Sequence, residues 1–219
     1  MQVPYLADEF AAASADDPVI AANTLSFWAI QHYSTGNPRG AVDLTEAALS
    51  QAPRAGSARM TSMLHARACR AHAHAGDTRA ADRSANAALD AYEYAGPIED
   101  DLPCVYWYNL GEAHQLLGSS ALNLGNPKRA LAHFLEASDA QEAYNADAFP
   151  RGHAIYLSRL AEAHLSLGDV DAADPAAEPW PPPEGRAGDL SASAGASTAP
   201  ATASSPVGRE LCGIDIVRT

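Results

Sequence analysis

A six-residue phrase recurs four times and limits what this chain can fold into. It reads Gly36-Asn37-Pro38-Arg39-Gly40-Ala41, then Gly76-Asp77-Thr78-Arg79-Ala80-Ala81. It returns as Gly125-Asn126-Pro127-Lys128-Arg129-Ala130 and Gly168-Asp169-Val170-Asp171-Ala172-Ala173. Each copy follows a run with helical periodicity. Glycine just past a helix end takes the left-handed conformation without a Cβ penalty. The Asn or Asp after it accepts free N–H groups of the next helix as an N-cap. Pro38 and Pro127 fall at the first helical position, where a missing N–H costs nothing. Two residues thus stop one helix and start another. The alanine five residues beyond each glycine lies one turn into the second helix and permits close approach. The phrase predicts an all-α chain built as an αα-hairpin solenoid.

The units follow in order. A short helix is expected over residues 2–14. Asp17 and Pro18 then open a stronger helix reaching about Thr35, with Ile20, Thr24, Leu25, Trp28, Ala29 and His32 on one face. Its partner starts at Pro38, turns Ala41, Leu44, Ala48 and Leu49 inward, and closes at Pro53. A second unit runs from Ser57 to Gly76 and back to about Tyr94. After a link over 95–103, Asp100 and Asp101 before Pro103 read as a helix start. The third unit opens with Tyr106-Trp107-Tyr108 and returns from Pro127 to about Tyr144. The fourth starts at Pro150 and carries Ile155, Leu160 and Leu167. Asp174-Pro175 then halts its return helix. Residues 4–173 are therefore expected to form the repeat domain. Residues 174–219, rich in Pro, Ala, Ser and Gly, form a disordered tail too poor in large apolar groups to offset ordering entropy.

The net charge of −13 argues against nucleic-acid binding through this chain alone, because phosphate contacts need clustered Lys and Arg. No apolar run is long enough for a membrane span, and Asp8 and Glu9 with no basic stretch exclude a secretory signal, so the expected location is cytoplasmic. Cys69, Cys104 and Cys212 make no disulfide framework or metal knuckle. No nucleophile elbow, P-loop or H-E-x-x-H motif occurs, so neither an enzyme, a cofactor nor a metal is expected. His32, His72 and His164 recur at equivalent positions and read as packing residues. The candidate binding residues are the aromatic group Tyr106, Trp107 and Tyr108, with Asn109, Glu112 and Gln115 as polar neighbours. Aromatic rings on first helices give contact area at low entropic cost, and at least one of the three should fill the core.

The phrase and its flanks resemble the tetratricopeptide repeat. Its small-residue site, seven before each glycine, falls on Ala29, Cys69, Gly118 and Ala161; its second small site falls on Ala48, Ala88 and Ala137. The glycines at 36, 76, 125 and 168 are spaced more widely than the roughly 34 residues of the standard repeat, so longer helices or looser links are expected. The stretch Ser26 to Ile30 lacks the Lys and Asn by which some of these domains clamp a chaperone tail. Val105-Tyr106-Trp107-Tyr108-Asn109 with Glu112, followed by the segment from Arg151 to Ala173, is similar to the C-terminal repeat region of actinobacterial helix-turn-helix regulators of the phage-repressor type. That resemblance implies a sensor or assembly module whose DNA-binding domain is absent from this chain. It also implies a C-terminus that has left the family pattern, as a change of reading frame would leave it. The partners implied are a protein or peptide, or a small-molecule signal. The uncapped fourth unit implies self-association. A stand-alone tetratricopeptide adaptor or scaffold is the alternative.

Overall fold

The computed structural model describes residues 17–140 and 150–173. Within them the chain is all-helical, without a strand. The helices are α1 Pro18–Ser34, α2 Pro38–Ala55, α3 Ala58–His74, α4 Thr78–Tyr92, α5 Leu110–Asn123, α6 Pro127–Asp139 and α7 Pro150–Leu167. Two short 3-10 turns, Ile98–Asp100 and Pro103–Val105, lie between α4 and α5. The helix expected over 2–14 and the tail over 174–219 lie outside the described residues.

The four repeated turns share one hydrogen-bond pattern. The N–H groups of Gly36, Gly76, Gly125 and Gly168 reach the carbonyls of Tyr33, Ala73, Leu122 and Leu165. Those of Asn37, Asp77, Asn126 and Asp169 reach back to His32, His72, Ala121 and His164. This is the Schellman closure, and it requires the left-handed glycine (φ 81°, 75°, 70° and 80°). The same Asn or Asp then caps the next helix at the first three turns, and at the fourth Asp169 caps the turn over 170–173. Asn37 Oδ1 accepts the N–H of Gly40 (3.1 Å), Asp77 that of Ala80 (3.0 Å), Asn126 that of Arg129 (3.1 Å) and Asp169 that of Ala172 (3.3 Å). Each such cap contributes about 1 kcal/mol.

Three boundaries differ from expectation. Helix α2 does not close at Pro53 but continues to Ala55. Pro53 has a helix-compatible φ and forfeits only the bond to one carbonyl near the helix end. Gly56 (φ 69°) then stops it, its N–H on Ala52 O. Helix α6 ends at Asp139, short of Tyr144, which is not among the described residues. Asp101 does not start a helix. Its carboxylate turns inward to Arg59, and α5 begins only at Leu110, capped by Asn109. The aromatic group therefore sits in the turn leading into α5, not on the helix.

Helices α1 and α2, α3 and α4, and α5 and α6 pack along each other across their turns. The first members also neighbour one another in succession, α1 on α3, α3 on α5 and α5 on α7. Helices α2, α4 and α6 each touch the first helix of the following unit. Most of the core is Leu25, Leu44, Met60, Met63, Leu64, Val105, Tyr108 and Leu117, spaced by buried alanines such as Ala29, Ala48 and Ala88 that let helix axes approach. A smaller cluster, Ala121, Ala130, Phe134 and Ala163 with Leu160 against it, joins α5, α6 and α7. Ile20 was expected inward but is 55% exposed. Because α1 packs on both α2 and α3, its buried face widens to Ala21, Ala22, Ser26 and Tyr33 and leaves Ile20 outside.

The link between α4 and α5 is fastened by one side chain. Arg59 is 3% exposed. It donates to Tyr92 Oη (3.0 Å), to the Tyr108 carbonyl (2.9 Å) and to the Gly96 carbonyl (2.6 Å), and its Nε stands 3.3 Å from the Asp101 carboxylate. Ser57 Oγ donates to the other oxygen of Asp101 (2.7 Å). Ser62 Oγ and Tyr108 Oη lie 3.0 Å apart and complete the attachment of the turn to α3.

Candidate functional site

Helix α3 is the unusual element by composition. It holds Arg59, Arg67 and Arg70 with no Asp or Glu, in a chain of net charge −13. Arg67 and Arg70 are three residues apart and so share a face. Arg67 is 6% exposed and Arg70 half-buried, yet neither guanidinium has a hydrogen-bond or ion-pair partner among the described residues. Aromatic rings hold them instead. The Arg67 guanidinium lies 5.0 Å from the Phe27 ring of α1 and 5.4 Å from the Trp107 ring; that of Arg70 lies 5.4 Å from Tyr33. Such contacts fix the guanidinium plane while leaving its edge, where the donors are, free.

Glu112 of α5 faces this pair. It is 8% exposed, and one carboxylate oxygen accepts the hydroxyl of Tyr156 from α7. Burial raises the pKa of Glu112; the Tyr156 hydrogen bond and the charges of Arg67 and Arg70 oppose that rise. Its second oxygen, Oε2, is buried without a partner. Gln115 Oε1, one turn further along α5, and Asn23 Oδ1, one turn before Phe27 on α1, are buried and unpartnered as well. The Nε atoms of Arg67 and Arg70 share that state. Arg59 Nε and His164 Nδ1 are also buried without a hydrogen bond, but each has a carboxylate nearby, that of Asp101 at 3.3 Å and that of Asp169 at 3.5 Å. The other five atoms, on α1, α3 and α5, have no such contact, and each such atom ordinarily costs about 1–3 kcal/mol unless something satisfies it.

The six expected site residues divide accordingly. Trp107 and Glu112 lie beside the arginine pair, and Gln115 follows Glu112 one turn along α5 with its Oε1 buried. Tyr108 fills the core, completely buried. Asn109 is engaged as the N-cap of α5, accepting the N–H of Glu112 (2.8 Å). Tyr106 is 53% exposed. Reading for aromatic clusters missed Arg67, Arg70, Asn23 and Tyr156. The signal for the arginines was present as a helix with three arginines and no acid to pair them.

On the other side of α3 a pocket of about 90 Å³ is lined by Cys69, Asp82, Ser120, Arg129 and His133, with Arg129 paired to Asp82 at its edge. Burial pushes the Cys69 thiol up to about 11, so at neutral pH it is no nucleophile. Beside it His114 and His133 meet with their Nδ1 atoms 3.1 Å apart. Among the described residues no three metal-ligating side chains gather, and no helix is long and apolar enough to cross a membrane. Compared with family models, curated proteins and solved structures, the chain matches none.

The histidine pair makes stability depend on pH. Burial, the neighbouring His114 and Arg129 together push His133 down to about 4, and burial lowers His114 despite Glu136. A histidine with a folded pKa below its unfolded value near 6.5 is neutral in the fold, so stability is lost as pH falls through 6.5 toward 4. Glu112, held above the usual carboxylate range, acts in the opposite sense and favours the fold on acidification. The His133→Phe variant isolates the histidine part. Urea unfolding at pH 7.5 and pH 5 should show it losing about 1 kcal/mol less than the parent, after allowance for solvent screening. Equal losses would mean that the pair does not carry the dependence.

Proposed function

We propose that this chain is a tetratricopeptide-like αα-hairpin solenoid that binds a ligand or protein along its first helices, as the sensor or assembly module of a cytoplasmic transcriptional regulator. The observation that carries the binding role is the group of buried, unpartnered polar atoms of Asn23, Arg67, Arg70, Glu112 and Gln115 on α1, α3 and α5. A fold without a ligand there would retain an unmet desolvation cost. Of the small residues at the repeat positions, Ala29, Cys69, Gly118, Ala48, Ala88 and Ala137 are buried, as close-packed hairpins require, and Ala161 of the last unit is half-buried. The regulatory role rests on the resemblance of residues 105–112 and 151–173 to regulator repeat regions.

In-cell photocrosslinking tests the binding face. A benzophenone amino acid replaces Phe27, an exposed residue whose ring meets Arg67, or Leu135, an exposed residue of α6. Adducts are expected from position 27 and not from 135. Equal yields at both positions, or none at 27, would sink the binding face. The regulatory part is tested by reading the coding region upstream. An in-frame helix-turn-helix supports it, and its absence favours an adaptor.

A further inference from the structure

We infer that Arg67, Arg70, Glu112 and Gln115 form one bipolar site for an amino-acid-like group, a carboxylate beside N–H donors; the inference rests on the first helices being the binding face. The arginines supply donors and positive charge; Glu112 faces them, but among the described residues no carboxylate is in ion-pair contact with either. Guanidinium forks match a carboxylate in bidentate geometry. Phe27, Trp107 and Tyr33 hold those forks in place, so little side-chain freedom is lost on binding.

The other half of the site is made of acceptors. Glu112 Oε2, Gln115 Oε1 and Asn23 Oδ1 lack donors. Phosphate fits the arginines, but near neutral pH it has only one or two hydroxyl donors for three acceptors and brings its remaining negative oxygens toward Glu112. A carboxylate attached to an ammonium or amide N–H satisfies both halves. Small size follows from burial, since Arg67 and Glu112 are each more than nine-tenths buried. Two sources share this chemistry, a free amino acid and the carboxyl end of a peptide.

The test uses the full chain labelled with ¹⁵N and follows the Arg Nε–H resonances. Those of Arg67 and Arg70 are assigned by their loss in Arg67→Lys and Arg70→Lys. Probes are glycine, triglycine, triglycine amide and inorganic phosphate, each at matched ionic strength against chloride. Triglycine or glycine is expected to shift both resonances saturably, at least tenfold more tightly than triglycine amide. The Nε–H of Arg129, on the far side and paired with Asp82, should stay in place. A stronger response to triglycine than to glycine marks a peptide end, and an equal one a free amino acid; either sustains the proposal. Glu112→Gln keeps the side-chain shape if the lysine variants unfold. It should weaken triglycine at least tenfold and phosphate far less. Phosphate shifting both resonances while neither glycine nor triglycine does would overturn the proposal, as would no shift with any probe. Photocrosslinking at position 27 that succeeds while these titrations fail would reject this chemistry and leave the binding face standing.

Discussion

Arg59→Ala is expected to cost about 3–5 kcal/mol in urea unfolding, the range for removing one partner of a buried charge pair. Its four contacts explain the size. The Gly96 and Tyr108 carbonyls, the Tyr92 hydroxyl and the Asp101 carboxylate would all lose a donor or countercharge together. Asp101 would suffer most, since it lies well inside the link. In a domain whose whole stability is of order 5–15 kcal/mol, such a loss approaches unfolding. Arg59→Met combined with Asp101→Asn removes both charges and keeps the stem. It should recover part of the loss, with a coupling of about 1–3 kcal/mol in the double-mutant cycle. The effect should also reach the candidate site. Arg59 holds the carbonyl of Tyr108, and the neighbouring Trp107 donates its indole N–H to the Cys104 carbonyl (3.1 Å). Trp107 near-ultraviolet dichroism should therefore collapse in step with stability. A loss below about 1 kcal/mol, with that signal unchanged, would show the link held by other contacts.

The helix boundaries at the four repeated turns were legible because the responsible interactions are local. A left-handed glycine and a capping Asn or Asp act within six residues, so their spelling suffices to place them. The link over 95–109 was not legible for the opposite reason. Asp100 and Asp101 before Pro103 have the composition of a helix start, but Asp101 is drawn off by Arg59, forty-two positions earlier in the chain. A pairing over that separation leaves no periodic mark. Pro53 was misread because its position relative to the helix end, rather than its identity, decides whether it terminates a helix.

The candidate site was half legible. Glu112, Gln115 and Trp107 follow from their place in or beside the aromatic group, and the approach of Glu112 to the arginine pair comes from the packing of α3 on α5. Tyr108 and Asn109 have the same composition signal but structural duties, one filling the core and one capping α5. The sequence cannot separate these roles, because the change from turn to helix at Asn109 sets which way each side chain points. By spacing alone Arg67 is one more position along helix α3. Its meaning depends on a missing partner, and that absence becomes visible only when its neighbours in space are known.

Phe134→Ala is expected to cost about 3–5 kcal/mol and to release α7 before the rest. Phe134 is the one large buried side chain in the cluster that joins α5, α6 and α7; the others, Ala121, Ala130 and Ala163, are small. It packs against Gly118 so closely that a Cβ there would come within 2.5 Å of the ring. The glycine weakens α5 by about 1 kcal/mol relative to alanine, a cost the ring contact offsets. Gly118→Ala should therefore destabilise by about 1–3 kcal/mol despite its better helix propensity, through overpacking. Adding Phe134→Leu should make the double variant more stable than Gly118→Ala alone, because the shorter side chain vacates the space. Hydrogen exchange then locates the damage. In Phe134→Ala the amides of 152–167 should lose protection while those of α3 and α4 keep it, since α7 meets the remainder through α6 and a thin contact with α5. Tyr156 leaves with α7, which removes the hydrogen bond that holds the Glu112 carboxylate and should weaken triglycine at the arginine pair. Uniform loss of protection across all helices would instead mean that the last unit unfolds with the others, and that Phe134 supports the whole array rather than its end.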